Sequence, residues 1–159
     1  MPFYLPQKCK PFFKQIFDPK NKTGDKLRLY FDEYYFCLMV GLAAEKYEEN
    51  AELEKSEITD SYPAEYAGCR DYVAGLLFAT ERKRRGIPEG DGAALERLMT
   101  EYIEPTSKTH LNSDGERRLN QYAARGMEIM LDVMNKPVRL DEFLLEYLKC
   151  FREGRFTEA

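Results

Sequence analysis

YAGCRDYVAGLLFATERKRRG, from Tyr66 to Gly86, is the stretch whose reading decides the fold. Its body is almost wholly apolar, its end is a burst of charge, and a glycine closes it. Placed on a 3.6-residue period, Tyr66, Cys69, Val73, Leu76, Leu77 and Thr80 share one face. Gly68, Gly75 and Ala79 make an opposite face of small residues, with Ala67, Ala74 and Phe78 on a flank. Glycine costs a helix about 1 kcal/mol relative to alanine. Two glycines on one face therefore imply a second helix packed close against it. The segment reads as a central helix with neighbours on at least two sides. It starts near Pro63, which suits a first turn, and stops at Gly86 with Pro88 following.

Upstream, DEYYFCLMVGLAAEKYEE predicts a helix over 32–49, capped by Asp32, with Phe31 and Phe36 at staple positions. Between Tyr34 and Ala44 it is apolar on every face, as a buried helix is. Residues 1–31 read as loosely organised, because Pro2, Pro6, Pro11 and Pro19 break any long helix. A short helix over 11–17 is expected there, then a turn-rich loop from Asp18 to Asp25. KLRLYF reads either as a short strand or as an extended lead-in to the next helix. The stretch from Asn50 to Tyr62 is an acidic connection, read as a solvated loop.

Downstream, Asp91 caps a helix ending near Glu104, with Leu95, Leu98, Met99, Tyr102 and Ile103 as its stripe. Ser113-Asp-Gly-Glu116 has the form of a capping box for a helix reaching Asn135. That helix carries Leu119, Tyr122, Ala123, Gly126, Met127, Met130, Val133 and Met134 on one side. Asp141 caps the last helix, whose buried side is read as Phe143, Leu144, Tyr147, Leu148 and Phe151. Gly154 closes it, and the tail beyond is expected to fray. The expectation is an all-α fold: a single domain over 1–159 with about six helices, two central apolar ones (32–49 and 63–85) and amphipathic ones around them.

The 159 residues suffice for a real core, and 43% hydrophobic with 33% charged content excludes disordered and membrane-embedded classes. The longest uncharged run, Tyr34 to Ala44, falls short of the roughly 20 residues a bilayer span takes. MPFYLPQKCK lacks the pattern of a signal peptide, so a cytoplasmic location is expected. Cys9, Cys37, Cys69 and Cys150 form no C-x-x-C pair, and His110 is the only histidine. A zinc site and a disulfide framework are not expected on that inventory. Cysteines inside apolar helices, and the Met127, Met130, Met134 stripe, read as core packing. No cofactor fingerprint is present, neither Walker A nor dinucleotide-binding.

Net charge is only −4 but is segregated. Arg82, Lys83, Arg84 and Arg85 form a basic knot at a helix C-terminus, where cations are favoured by the helix dipole. They are also candidates for binding phosphate or an acidic partner, with Arg117, Arg118 and Arg125 extending the surface. Arg70 and Asp71 interrupt the central helix without an opposite charge three or four residues away, so they either bridge to another helix or line a cleft. His110 has Thr109, Asn112, Ser113 and Asp114 nearby for acid–base work, without a nucleophile motif. The aromatic run Tyr30, Phe31, Tyr34, Tyr35 and Phe36 reads as core before it reads as a base-stacking surface.

Two segments carry a resemblance: LYFDEYYFCLMVGL, from Leu29 to Leu42, and RDYVAGLLFATERKRRGI, from Arg70 to Ile87. They resemble small helical accessory proteins of bacterial DNA-modification and phage-defence islands, including those linked to DNA phosphorothioation. The resemblance covers the middle third of the chain and transfers no catalytic residue. It implies a bacterial subunit working with larger DNA-processing partners. Three functional readings stand at this stage: a non-catalytic interaction subunit with protein partners, a direct DNA binder using 82–85, and an enzyme using Arg70 and Asp71 or His110.

Overall fold

The chain enters the core with its first residues. In the computed structural model, which describes residues 2–158, strand β1 (Phe3–Pro6) is followed by helix α1 (Cys9–Phe13) and a 3-10 turn (Lys14–Ile16). Phe3, Leu5, Cys9, Phe12, Phe13 and Ile16 are all buried, so this segment is not the loose arm expected from its prolines. The prolines forbid a long helix but leave short elements free to bury a large apolar side chain at most turns. KLRLYF is the lead-in to the next helix: it bridges Phe17 at Leu27, and the Tyr30 ring stacks on Phe17.

Helix α2 (Tyr30–Ala44) begins two residues before Asp32. Asp32 is not the cap itself. It sits one turn inside and accepts a hydrogen bond from the Leu29 backbone N–H, and the Tyr66 hydroxyl also donates to it. The helix ends at Ala44 rather than near Glu49, because Glu45 takes a left-handed conformation with φ of 57° and returns its N–H to the last turn. The acidic connection is not all loop. Strand β2 (Leu53–Thr59) pairs antiparallel with β1, Phe3 opposite Thr59 and Pro6 opposite Leu53, with an irregular register between them. The fold is therefore mainly α with a small two-stranded sheet.

A 3-10 segment (Ala64–Cys69) leads into α3 (Arg70–Arg84), and Gly86 closes it at φ of 66°. Helix α4 (Gly92–Tyr102) is capped by Asp91, whose side chain accepts from the Ala94 N–H as expected. Helix α5 (Ser113–Val133) is capped by Asn112, one residue before the serine of the anticipated box; its Oδ1 accepts from the Gly115 N–H at 2.9 Å. Helix α6 (Leu140–Arg152) follows, and past Gly154 the chain forms a last turn, α7 (Arg155–Glu158). Phe156 is fully buried among Tyr147 and Phe151, which holds the tail that was expected to fray.

The central pair is α2 and α5, not α2 and α3. A Cβ on Gly41 would stand 2.0 Å from the Tyr122 carbonyl oxygen, and one on Gly126 would stand 1.7 Å from that of Cys37. Each glycine faces the backbone of the other helix, which lets two apolar helices cross at close range. By contrast a Cβ on Gly68 or Gly75 would meet nothing within 4 Å. The small-residue side of α3 looks outward, and α3 buries only Val73, Ala74, Leu77, Thr80 and Glu81. Asn120 on α5 ties the sheet to this pair. Its amide oxygen accepts from the Tyr34 hydroxyl and the Tyr4 N–H, and its nitrogen donates to the Pro2 carbonyl.

Candidate functional site

Helix α6 has more large apolar residues than its core-facing side can bury. Phe143, Tyr147 and Cys150 point inward, while Leu145 is 70% and Leu148 58% exposed, and Leu144 is also exposed. The expected assignment of Leu144 and Leu148 to the buried side is thus corrected. An i, i+4 pair on one helix face is not proof of the face toward the core when the helix covers only one flank. On α3, Tyr72 is 59% exposed. Leu144 lines a separate depression with Ile16 and Val138. Between α2, α3 and α6, Tyr72 and Leu148 border an open groove of about 420 Å³, floored by Phe36, Met39 and Tyr147 and walled also by Leu76. Its floor is rigid: the Tyr147 hydroxyl donates to the Phe36 carbonyl at 2.8 Å, and the Phe36, Phe143 and Tyr147 rings pack edge to face. The rim is rich in leucine and tyrosine, and the glycine side of α3 is unobstructed beside it. The sequence signal was the consecutive Leu144, Leu145 beside Leu148, one leucine more than a single stripe needs.

The basic knot is organised around one carboxylate. Glu81 is completely buried near the end of α3. Its Oε1 accepts from the Arg118 guanidinium at 2.7 Å and the Tyr122 hydroxyl at 3.0 Å, and its Oε2 from Arg85 at 3.2 Å and Arg84 at 3.5 Å. Arg85 also forks onto Glu101 at 2.7 and 3.1 Å, which holds the Glu101 carboxyl below its usual range. The guanidinium groups of Arg84 and Arg118 lie over the Tyr47 ring at 4.4 and 3.8 Å. Burial, and then the Glu81 charge, push the Tyr122 phenol above its ordinary value. Three arginines read from sequence as free cations are thereby gathered into a charged knot that pins α3, α4 and α5 together.

The remaining basic candidates face solvent with acidic companions. Lys83 pairs with Glu45 at 3.3 Å and Arg117 with Asp114 at 3.0 Å. Arg82 donates to the Ile87 carbonyl and stands 3.9 Å from Glu89. Arg125 stands 3.8 Å from Glu48, and Lys8 pairs with Glu128 at 3.1 Å.

Arg70, Asp71 and His110 meet where the first turn of α3 touches the loop before α5. The Asp71 carboxylate lies 2.6 Å from His110 Nδ1, and Arg70 donates to the Lys108 carbonyl at 3.4 Å. His110 has φ of 62°, unusual for a side-chain-bearing residue. The Asp71 side chain is 89% exposed. Among the described residues no Ser, Thr or Cys hydroxyl or thiol hydrogen-bonds to His110. The pair therefore ties a loop to a helix on open surface and holds a histidine without an adjoining nucleophile.

Among the described residues, no group of three or more His, Cys, Asp or Glu side chains is placed to hold a metal, and no helix is long and apolar enough to cross a membrane. Comparison with known protein families, with curated proteins and with solved structures finds no match.

Proposed function

We propose that this chain is a non-catalytic helical interaction subunit that binds a protein partner across the groove between α2, α3 and α6, within a bacterial assembly that handles DNA. The observation that carries the reading is the exposed apolar pair Tyr72 and Leu148 beside an aromatic floor. Exposed tyrosine and leucine over a preformed depression supply the large apolar contacts that dominate binding. The DNA-handling context rests on the resemblance of Leu29–Leu42 and Arg70–Ile87 alone. The charge arrangement supports an indirect association with DNA. Arg84, Arg85 and Arg118 are committed to Glu81, and the other candidates of this basic end have acidic companions, so the 82–85 end itself offers a duplex few unpaired cations.

The test is recovery of partners from the native host on tagged wild type and on the Tyr72→Asp/Leu148→Asp variant. Any partner is then purified and the complex rebuilt from pure components. Both substitutions sit at exposed positions, so the variant should melt close to wild type. The expected result is a complex that forms with wild type and weakens at least about tenfold with the variant. A rebuilt complex indifferent to the two substitutions would refute the groove as the docking face. The rival reading, direct DNA binding, is tested by titrating a duplex at two salt concentrations. Arg82→Ala/Lys83→Ala/Arg117→Ala is the informative variant, because none of the three touches Glu81. Salt-sensitive binding lost in that variant would overturn the indirect reading.

A further inference from the structure

Three sulfur atoms from three separate segments meet in the core. Cys9 Sγ lies 3.5 Å from Cys37 Sγ, and the two thiols lie 3.4 and 3.6 Å from Met127 Sδ. Both cysteines are free and fully buried, and Met127 is 1% exposed. Cys9 opens α1, Cys37 is in the middle of α2, and Met127 is on α5 one residue past the Gly126 crossing. Cys37 and Met127 are therefore positioned by the close backbone crossing of α2 and α5, and α1 brings Cys9 onto them. The triangle is nearly equilateral, and a point equidistant from its corners lies about 2.0 Å from each, close to the 2.3 Å of a metal–thiolate bond. Two thiols and a thioether, with no imidazole and no carboxylate in the set, are soft ligands. Glu33, whose two carboxyl oxygens are buried without a hydrogen-bond partner, stands within electrostatic reach of Cys9.

From this arrangement we propose that Cys9, Cys37 and Met127 form a three-coordinate site for a soft monovalent cation, Cu(I). Separately placed sulfurs in a core pack with carbon as readily as with each other, so three in mutual contact is the feature that packing alone does not require. Three sulfur ligands also fit the low coordination number of a closed-shell soft ion better than the four that zinc takes. On binding, each thiol gives its proton to solvent and its sulfur lone pair to the ion; no electron is transferred. The two thiolates and one cation leave a single negative charge, and Lys8 and Lys10 flank Cys9 in the chain. A cavity of about 310 Å³ lined by Lys8, Glu48, Glu52, Arg125, Met127 and Glu128 opens beside Met127, on the side from which an ion would approach. The copper titration needs no protein partner, so its outcome is read separately from whether the groove binds one.

The experiment is anaerobic titration of the full chain with Cu(I) against a colorimetric chelator, followed by copper K-edge absorption. The expected result is one Cu(I) per chain, with a sulfur-only shell near the roughly 2.3 Å typical of metal–thiolate bonds. Cys37→Ser should lower the affinity by about a hundredfold, and Met127→Leu by about tenfold. Met127→Leu nearly conserves volume and should keep the fold if the cysteine variants do not. Three results would overturn the proposal: failure to retain copper against the chelator, copper held equally well by the Met127→Leu and Cys37→Ser variants (so placed on Cys69 or Cys150), or a Cys9–Cys37 disulfide formed with no metal bound.

Discussion

Replacing Glu33 by glutamine should leave stability nearly unchanged at pH 5 and raise it as the pH climbs to 8. Glu33 sits on α2 with 1% of its surface exposed, and neither carboxyl oxygen has a hydrogen-bond partner. Burial pushes its pKa from 4.5 up to about 8; the Lys10 charge works against the rise and Asp32 adds to it. The unfolded chain loses this proton near 4.5, while the folded chain keeps it until about 8. Between those values the unfolded state binds fewer protons, so stability falls as pH rises. The penalty is absent below the lower value and complete above the upper one. Each pH unit inside the window costs about 1.4 kcal/mol. Moving from pH 5 to pH 8 therefore removes about 3 kcal/mol, a large part of the 5–15 kcal/mol of a typical domain. Glutamine has the same shape and no charge to lose. The assay is urea unfolding of wild type and Glu33→Gln at half-unit steps from pH 5 to pH 8.5. Taking the difference between the two proteins cancels every other titrating group. The variant should be near or slightly below wild type at pH 5, because its amide is also left unpaired, and more stable by several kcal/mol at pH 8. Parallel curves, with a difference changing by less than about 1 kcal/mol across the range, would show that the Glu33 carboxyl ionises normally in the fold and would refute the reasoning.

The knot around Glu81 predicts an asymmetric cost. Glu81→Ala should lose about 3–5 kcal/mol in urea unfolding, because the half-buried Arg118 and the buried Tyr122 hydroxyl are left without their acceptor, whereas Lys8→Ala, which breaks an exposed pair, should leave the unfolding midpoint nearly unmoved. A loss below about 1 kcal/mol for Glu81→Ala would mean that the arginines rehydrate and the knot is not structural. The glycines give an opposing pair of expectations. Gly75→Ala adds a Cβ into open space on a helix and should raise stability by about 1 kcal/mol, while Gly126→Ala drives a Cβ into the Cys37 carbonyl and should leave little folded protein by circular dichroism. Equal effects at the two positions would overturn the placement of α5 against α2.

The same glycines show what a single sequence conveys and what it withholds. That α2, α4, α5 and α6 are helices follows from local signals: apolar periodicity, Asp91 as a cap, and proline or glycine at the ends. Those signals act within one turn and survive in the fold with boundary shifts of a few residues. Which helix lies against which is decided between segments, and periodicity does not carry it. Gly68, Gly75 and Ala79 form as regular a small-residue face as Gly41 offers, yet only Gly41 and Gly126 have a backbone opposite them. The sheet was hidden for a related reason. β2 is built of LEKSEIT, whose charged residues suit a strand that is solvated on one side, and its partner lies about 50 residues away, itself ending in a proline and with Pro11 and Pro19 in between. The charged candidates were legible as residues and not as relationships. Arg82 to Arg85 stood out as a cationic run, but Glu81, the residue that organises it, looked like one more charge at the edge of the run. A buried acid beside three arginines leaves a weak trace in sequence: it stands at the i and i+4 positions relative to Leu77 and Arg85, on the line of the buried face. Following that line one residue past the last apolar position reaches Glu81, and from there the knot, the crossing of α3 over α5 and the outward turn of the Gly75 face all follow. Rotating α3 to bury the acid exposes the glycines, and with them Tyr72 at the rim of the groove. The arrangement that gathers Arg84, Arg85 and Arg118 onto Glu81 is thus the same one that leaves Tyr72 exposed beside the groove.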